Sequence, residues 1–154
     1  CFQIVGITLE DYSTCIPRHG EVLKKSKCII FYGRRSHKDT LQMLEKADYM
    51  INYRDSNLMT EAGMSTKVVE SISVGTPVVT NEIGDTFLYL KDGVSGIRLT
   101  GQSDEDVKTI KKLCEISADE RKNNKEKIRE NGTFSIERYK NQMSEFLIAV
   151  KEKS

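Results

Sequence analysis

Cysteine is scarce and unclustered in this chain. Cys1, Cys15, Cys28 and Cys114 include no CxxC pair, and the two histidines, His19 and His37, lie near no second ligand. Structural zinc sites need such clusters, so no metal is expected. A disulfide scaffold would be smaller and richer in cysteine. The four thiols therefore read as reduced and the protein as cytoplasmic. Charge of one sign is also missing: 24 basic residues face 23 acidic ones, for a net charge of +1. That balance excludes an electrostatic case for nucleic acid or for an anionic membrane. No apolar run approaches the roughly 20 residues of a membrane helix, so no transmembrane segment is expected. The opening "CFQIVGITLEDY" has neither the basic lead nor the long apolar stretch of a signal peptide. It reads as a strand entered without preamble, and the expectation is a natural chain that begins earlier. Internal repeats and low-complexity linkers are absent too.

What is present is alternation. The strand-length apolar runs are "FQIVGIT" (2–8), "CIIFYG" (28–33), "YMINY" (49–53), "PVVT" (77–80) and "GIRLT" (96–100). Runs this apolar fit strands covered on both faces, as in parallel sheets. Helical patterns lie between them. Residues 36–47 have a cap candidate in Ser36 and turn Leu41, Leu44 and Met43 inward. Residues 66–74 form a short buried helix, and 82–93 hold a brief one before the turn "DGVSG". From residue 103, "SDEDVKTIKKLCEI" begins with a capping-box-like Ser103 and Asp106 and keeps Val107, Ile110, Leu113 and Cys114 on one face. "SADERKNNKEKIRENG" starts at a second cap, Ser117, and ends at Asn131-Gly132. Its charged run 119–130 reads as a solvated face. "FSIERYKNQMSEFLIAV" is amphipathic, with Ile136, Tyr139, Met143, Phe146, Leu147 and Val150 requiring a docking partner.

Alternating strands and helices predict an α/β fold: a doubly wound, mostly parallel sheet with helices on both faces, spanning residues 1–154 as one domain. Ligands in such folds bind beyond the carboxyl ends of the strands, which directs attention to the loops after Ile7, Tyr32, Tyr53 and Thr80. The loop after Tyr53 reads "RDSNLMTEAGMS" and leads into "TKVVES". A helix start offers free N–H groups and positive potential, a place for phosphate. Ala62-Gly63 lets backbone approach a ligand. Lys67 puts a cation where the helix dipole disfavours one unless an anion is present. Glu70, three residues on, shares its face. A carboxylate accepts from two donors at once and so matches the vicinal hydroxyls of a ribose. The alternative is plain: Ser65 or Thr66 caps the helix, and Lys67 with Glu70 is an ordinary ion pair.

These segments, in this order, resemble the nucleotide-sugar-binding C-terminal domain of retaining glycosyltransferases of the GT-B fold, group 4-like. The resembling pieces are "FQIVGI", "IIFYGR", "LEKADYMINYR", "AGMSTKVVESISVGTPVVT", "LKDGVSGIRL" and "FSIERYKNQMSEFL". The pattern R-x-x-N-x-x-x-x-A-G-x-x-T-K-x-x-E, met by Arg54, Asn57, Ala62, Gly63, Thr66, Lys67 and Glu70, resembles the branch of bacterial polysaccharide synthesis. The resemblance implies transfer of a hexosyl group from a nucleotide-diphosphate sugar to a hydroxyl, with retention, no bound metal and no cofactor beyond the donor. It implies a catalytic role for Lys67 at the leaving diphosphate. Donor-binding roles fall to Gly6, Gly33, Arg34, Arg54, Asn57, Gly63, Ser65, Thr66 and Glu70, the last on the ribose.

The chain departs from the family at two places. Of the paired glutamates, the second is matched by Glu70, but the first would fall at Ala62, with Glu61 one step out of register. That glutamate touches the transferred sugar in related enzymes; here the role is displaced, or passes to N–H groups around Gly63 to Ser65. The family's domain also opens with a further strand-helix unit that grips the diphosphate, and it is preceded by an acceptor domain. The expectation is therefore a fragment, inactive alone, prone to self-association at an uncovered edge. The longer protein would meet a glycan or lipid-linked acceptor, the latter at the inner face of the membrane. Asp85 is a further donor-side candidate or a helix cap. Tyr32 and Tyr53 could stack on a base, and both histidines are expected in solvent. The rivals are a degenerate, non-catalytic nucleotide binder and a signalling receiver module. The latter needs acidic residues clustered at strand ends, which Tyr53-Arg54 does not supply.

Overall fold

A computed structural model describes residues 1–152. The chain is α/β, with parallel strands flanked by helices, and it forms two compact units, one over Cys1–Met43 and one from Leu44 onward.

In the first unit, β1 (Phe2–Ile4) pairs in parallel with β2 (Ile29–Phe31), Phe2 opposite Ile29. The connection holds two helices, α1 (Leu9–Cys15) and α2 (Pro17–Lys25). Periodicity assigns nothing to these residues, because a seven-residue helix is too short to display a stripe. Local chemistry marks them instead. Thr8 caps α1 by accepting from the Asp11 N–H at 3.1 Å, and Pro17 opens α2, where its missing N–H costs nothing. Tyr12 packs on Phe31 with ring centroids 5.5 Å apart and bonds the His19 ring at 3.0 Å. His19 is thus half-buried, not in solvent as the polar surroundings suggested. The boundary between units falls within α3 (His37–Lys46), which is capped at Ser36 as expected.

The second unit is built on β4 (Val78–Asn81), hydrogen-bonded in parallel to β3 (Met50–Asn52) on one side and β5 (Gly96–Leu99) on the other. The expectation of strands covered on both faces holds for β4, where Val78, Val79 and Thr80 are at most 2 % exposed. It fails for β2 and β3, whose central residues Ile30 and Ile51 are more than one-third exposed. Among the described residues only β4 has a strand on each side, and the ladders fall into a two-stranded and a three-stranded set. Against β4 lies α5 (Thr66–Ser73), which buries Val68 and Ile72 in a core with Val78, Leu90 and Ile128. Short helices α4 (Leu58–Glu61) and α6 (Thr86–Tyr89) follow β3 and β4. Three long helices end the chain: α7 (Ser103–Glu115), α8 (Ala118–Asn131) and α9 (Ile136–Glu152).

Three expectations about these last helices need correction. Ser103 does not cap α7. Asp106 reaches back instead, accepting from the Thr100 and Gly101 N–H groups at 2.7 and 3.1 Å. The charged run of α8 is solvated on most of its face but not all. Arg121, Lys125 and Arg129 recur every four residues and so form one stripe. Lys125 donates to the carbonyls of Glu45 and Ala47 at the end of α3, at 2.5 and 2.6 Å. Arg129 donates to Val74 at the end of α5, at 2.9 Å, and pairs with Glu45. Arg121 pairs with Asp48 at 3.2 Å and donates to the Ile116 carbonyl. Cations belong at helix C-termini, where carbonyls lack helical partners. Burial lowers the Lys125 ammonium pKa from its ordinary value, the cost of bringing the charge to those carbonyls. Gly75 makes the close packing possible: it sits at φ +82°, and a Cβ there would lie 2.9 Å from the Lys125 carbonyl. The apolar stripe of α9, finally, is not buried at its centre. Met143, Phe146 and Leu147 are all more than half exposed, while Tyr139 is tied down through its hydroxyl to the Thr133 carbonyl at 2.9 Å.

Two stability tests follow from α8. Ile128→Ala should lower the unfolding free energy by about 3 kcal/mol in urea titrations followed by circular dichroism, from lost burial and the cavity left behind. Lys125→Met, which keeps the apolar stem, should cost about 1–2 kcal/mol in the same titration by stranding the α3 carbonyls. A neutral result would reduce the stripe to surface charge.

Candidate functional site

The chain leaves β3 at Asn52 and β4 at Asn81, both at the carboxyl end of the three-stranded sheet. Two side chains continue the ladder past the strand ends. Thr80 donates from Oγ1 to the Asn52 carbonyl at 2.7 Å. Asn81 then uses its amide as a peptide group would, its Oδ1 accepting from the Arg54 N–H at 3.1 Å and its Nδ2 donating to the Arg54 carbonyl at 2.8 Å. Arg54 is fixed by its backbone, and its guanidinium makes no hydrogen bond or ion pair among the described residues.

Asn57 follows as the cap of α4. Its Oδ1 accepts from the Met59 and Thr60 N–H groups at 3.0 and 3.1 Å, and Thr60 Oγ1 accepts in return from the Asn57 N–H at 2.9 Å. This reciprocal capping box commits the Asn57 carbonyl oxygen to the loop itself. Glu61 ends the helix. Its Oε1 accepts from the Ser56 hydroxyl at 2.6 Å and its Oε2 from the Gly84 N–H at 2.8 Å. Those two hydrogen bonds, Ser56 first, hold its carboxyl pKa below the ordinary value. Beyond Gly84, Glu82 pairs with Arg98 of β5, whose guanidinium lies 3.9 Å from the centre of the Phe87 ring.

Residues 62–65 turn the chain into α5. A Cβ added to Gly63 would meet nothing within 4 Å among the described residues, so none of them demands glycine there. Ser65 occupies the cap position with extended backbone, yet its side chain makes no capping hydrogen bond. Thr8, Ser36, Asn57 and Ser117 cap α1, α3, α4 and α8, whereas α2, α6 and α7, like α5, start without a side-chain cap. At α5 the first turn's N–H groups therefore meet no capping side chain, though Ser65 is a suitable residue type. Lys67 is exposed and makes no hydrogen bond or ion pair among the described residues, so the ordinary pair with Glu70 is not formed. Glu70, one turn on, is half-buried between Val69 and the buried Ser71. Thr66 is exposed beside Lys67.

The structure thus brings Arg54, Asn57, Gly63, Ser65, Thr66, Lys67 and Glu70 into one run at the carboxyl end of β3 and the start of α5. Gly6, Gly33 and Arg34 belong to the first unit. There the Gly6 N–H donates to the Gly33 carbonyl at 2.8 Å, and both glycines have positive φ, +106° and +63°. That is backbone geometry an L side chain resists. Arg34 is exposed, Arg35 lies 5.6 Å over the Tyr32 ring, and Tyr53 is half exposed. Asp85 stands at the cap position of α6 without bonding it. Sequence reasoning does not reach Asn81, Ser56 or Gly84. A polar residue directly after a buried apolar strand is the available signal for Asn81; for Gly84 there is none, since its partner, Glu61, is 23 residues away in sequence, and the Ser56 pairing to the same Glu61, five residues on, follows no cap or helix spacing.

Among the described residues no helix is long and apolar enough to cross a membrane. A search of curated proteins finds no match to the chain. The family model described as glycosyl transferases group 1 matches residues 2–119. That match takes in both parallel ladders and the whole run from Arg54 to Glu70. The chain belongs to glycosyl transferases group 1, a family whose reaction is glycosyl transfer.

Proposed function

We propose that the second unit binds the diphosphate and ribose of a nucleotide-diphosphate sugar, and that the full-length enzyme transfers a hexosyl group from it to an acceptor hydroxyl. The observation that carries this reading is the start of α5: N–H groups without a side-chain cap, beside a cation without a partner among the described residues. Both features are unfavourable in an empty protein and become favourable around an anion. The diphosphate would accept from the amides of Ser65 to Lys67 and lie against the Lys67 ammonium. Arg54, its backbone already clamped and its guanidinium unengaged by the described residues, is the second cation in reach of the same loop. Gly63 gives the sugar end of the donor room to approach backbone. Glu70 would accept from the ribose hydroxyls.

In the transfer itself the bond from the sugar's anomeric carbon to the phosphate oxygen breaks, and its electron pair goes to the diphosphate. A bond forms from the acceptor oxygen to the same carbon, and the acceptor's proton is released. Lys67 and the helix amides would stabilise the charge that grows on the departing diphosphate. Donors fixed in advance where charge develops are among the strongest sources of rate enhancement open to an enzyme. Place in polysaccharide synthesis is inferred from the family pattern of residues 54–70, and retention of configuration from the resemblance of the chain as a whole. A second reading, a nucleotide binder without transfer, draws on Ala62, which stands where a sugar-contacting glutamate would be. Donor-dependent transfer by the full-length protein would exclude it.

Calorimetric titration of the chain with UDP, GDP and ADP tests the reading. One of the three should bind, and Lys67→Ala should weaken that binding about tenfold, as for loss of one charged hydrogen bond. Glu70→Ala should weaken it similarly and, unlike Lys67→Ala, should erase the preference for the ribose form over the 2′-deoxy form. Unchanged affinity in Lys67→Ala would remove the diphosphate from the start of α5.

A further inference from the structure

Glu61 is the acidic residue nearest in sequence to where a sugar-contacting carboxylate is expected, yet both of its oxygens are already occupied by partners within the chain. Oε1 takes the Ser56 hydroxyl at 2.6 Å and Oε2 takes the Gly84 N–H at 2.8 Å. Ser56 lies in the loop that follows β3, and Gly84 lies in the loop that follows β4. The two loops also touch through backbone: at φ +49° Gly84 comes so near that a Cβ would sit 2.7 Å from the Glu61 carbonyl oxygen. A second tie, the Asn81 amide on both peptide groups of Arg54, joins the same two loops nearer the sheet. The β4 loop is anchored on its other side by Glu82 on Arg98.

We propose that Glu61 is a positioning residue of the donor site, latching the loop after β4 to the loop after β3 and so fixing the turn 62–65 that delivers the chain to α5. It acts through Ser56 and Gly84 and does not contact the sugar. The inference rests on the donor site argued above for that turn. Its physical basis is that residue 61 is covalently one step from the turn. An unlatched α4 end would let Ala62 to Ser65 wander, and a loose turn must be ordered again each time an anion binds. Carboxylate chemistry suits the task. An ionised carboxyl accepts only, and here it meets two donors with nothing left to repel. No charged side chain contributes to the shift of its pKa, whose lowering causes are the Ser56 and Gly84 hydrogen bonds. The sign of the linkage follows. A carboxyl pKa held below the ordinary 4.5 gives a contribution that is fully present above that value and is lost as pH falls through the folded one.

Nitrogen-15 NMR on the full chain tests the latch, and calorimetry tests what it is for. The Gly84 amide resonance should titrate with a midpoint below 4.5 and should stop doing so in Glu61→Gln. Its hydrogen exchange should accelerate in Glu61→Ala. With whichever of UDP, GDP or ADP binds, and with its glucose conjugate, Glu61→Ala should lose the same roughly three- to tenfold for both ligands. Glu61→Gln, whose amide can still accept from Gly84 and donate to Ser56, should recover to within about twofold of wild type. A residue that touched the sugar would behave otherwise. Both variants would then lose affinity for the conjugate alone, and that result overturns the proposal, as does a Gly84 amide blind to Glu61. If the wild-type chain binds none of the three, the donor reading and the positioning role fall together. That failure is told apart from failure of the latch by the Gly84 amide, which would still titrate.

Discussion

Peptide groups left over where helices and strands stop must find partners, and the second unit of this chain is organised by how it meets that demand. Helix ends expose four carbonyls or four N–H groups each, and strand ends expose both kinds. The carbonyls ending α3 and α5 are met by Lys125 and Arg129. The strand ends at Asn52 and Arg54 are met by Thr80 and Asn81. The Gly84 N–H is met by Glu61, which also accepts from the Ser56 hydroxyl. These side chains do for loops what ladder hydrogen bonds do for strands. They make rigid a surface that would otherwise be the least ordered part of the unit.

The start of α5 is one end where no side chain meets that demand. This helix packs on the buried central strand through Val68 and Ile72, and its N-terminus is left to a lysine and uncapped amides beside well-supported loops. A helix held that firmly cannot fray to relieve its own end. Free N–H groups at such an end are a favourable place for an anion. The geometry of the site therefore comes from the core inward of it: β4 sets α5, α5 sets the amides, and the latches on either side set the approach.

How much of this is legible in the sequence depends on the range of each interaction. The five strands, the helix 66–74, the caps at Ser36 and Ser117 and the stop at Gly132 all rest on residues within a few positions of one another, and the structure keeps each of them. The helices α1 and α2 escape the sequence reading; α1, with seven residues, is too short for periodicity to register. Ser103 misleads because a capping-box spacing does not say which member of the box is used. The α8 run misleads for a different reason. Charge in a sequence looks like solvation, and only packing reveals that Arg121, Lys125 and Arg129 face the ends of other helices.

The sequence alone was enough to settle the α/β alternation and the position of the loop 54–65 at the carboxyl end of a strand, because hydrophobic period and local spacing are properties of neighbours along the chain. Tertiary structure decided what those residues are free to do. Asn57 is committed to a cap and Glu61 to a latch, while Ser65 declines to cap and Lys67 is left without a partner among the described residues. Each of those outcomes turns on whether a side chain meets a donor or acceptor once the chain has folded. The Glu61 latch needs one brought in by a distant loop. Hydrogen bonds of that kind are set by where β3 and β4 lie beside each other, which no local pattern records.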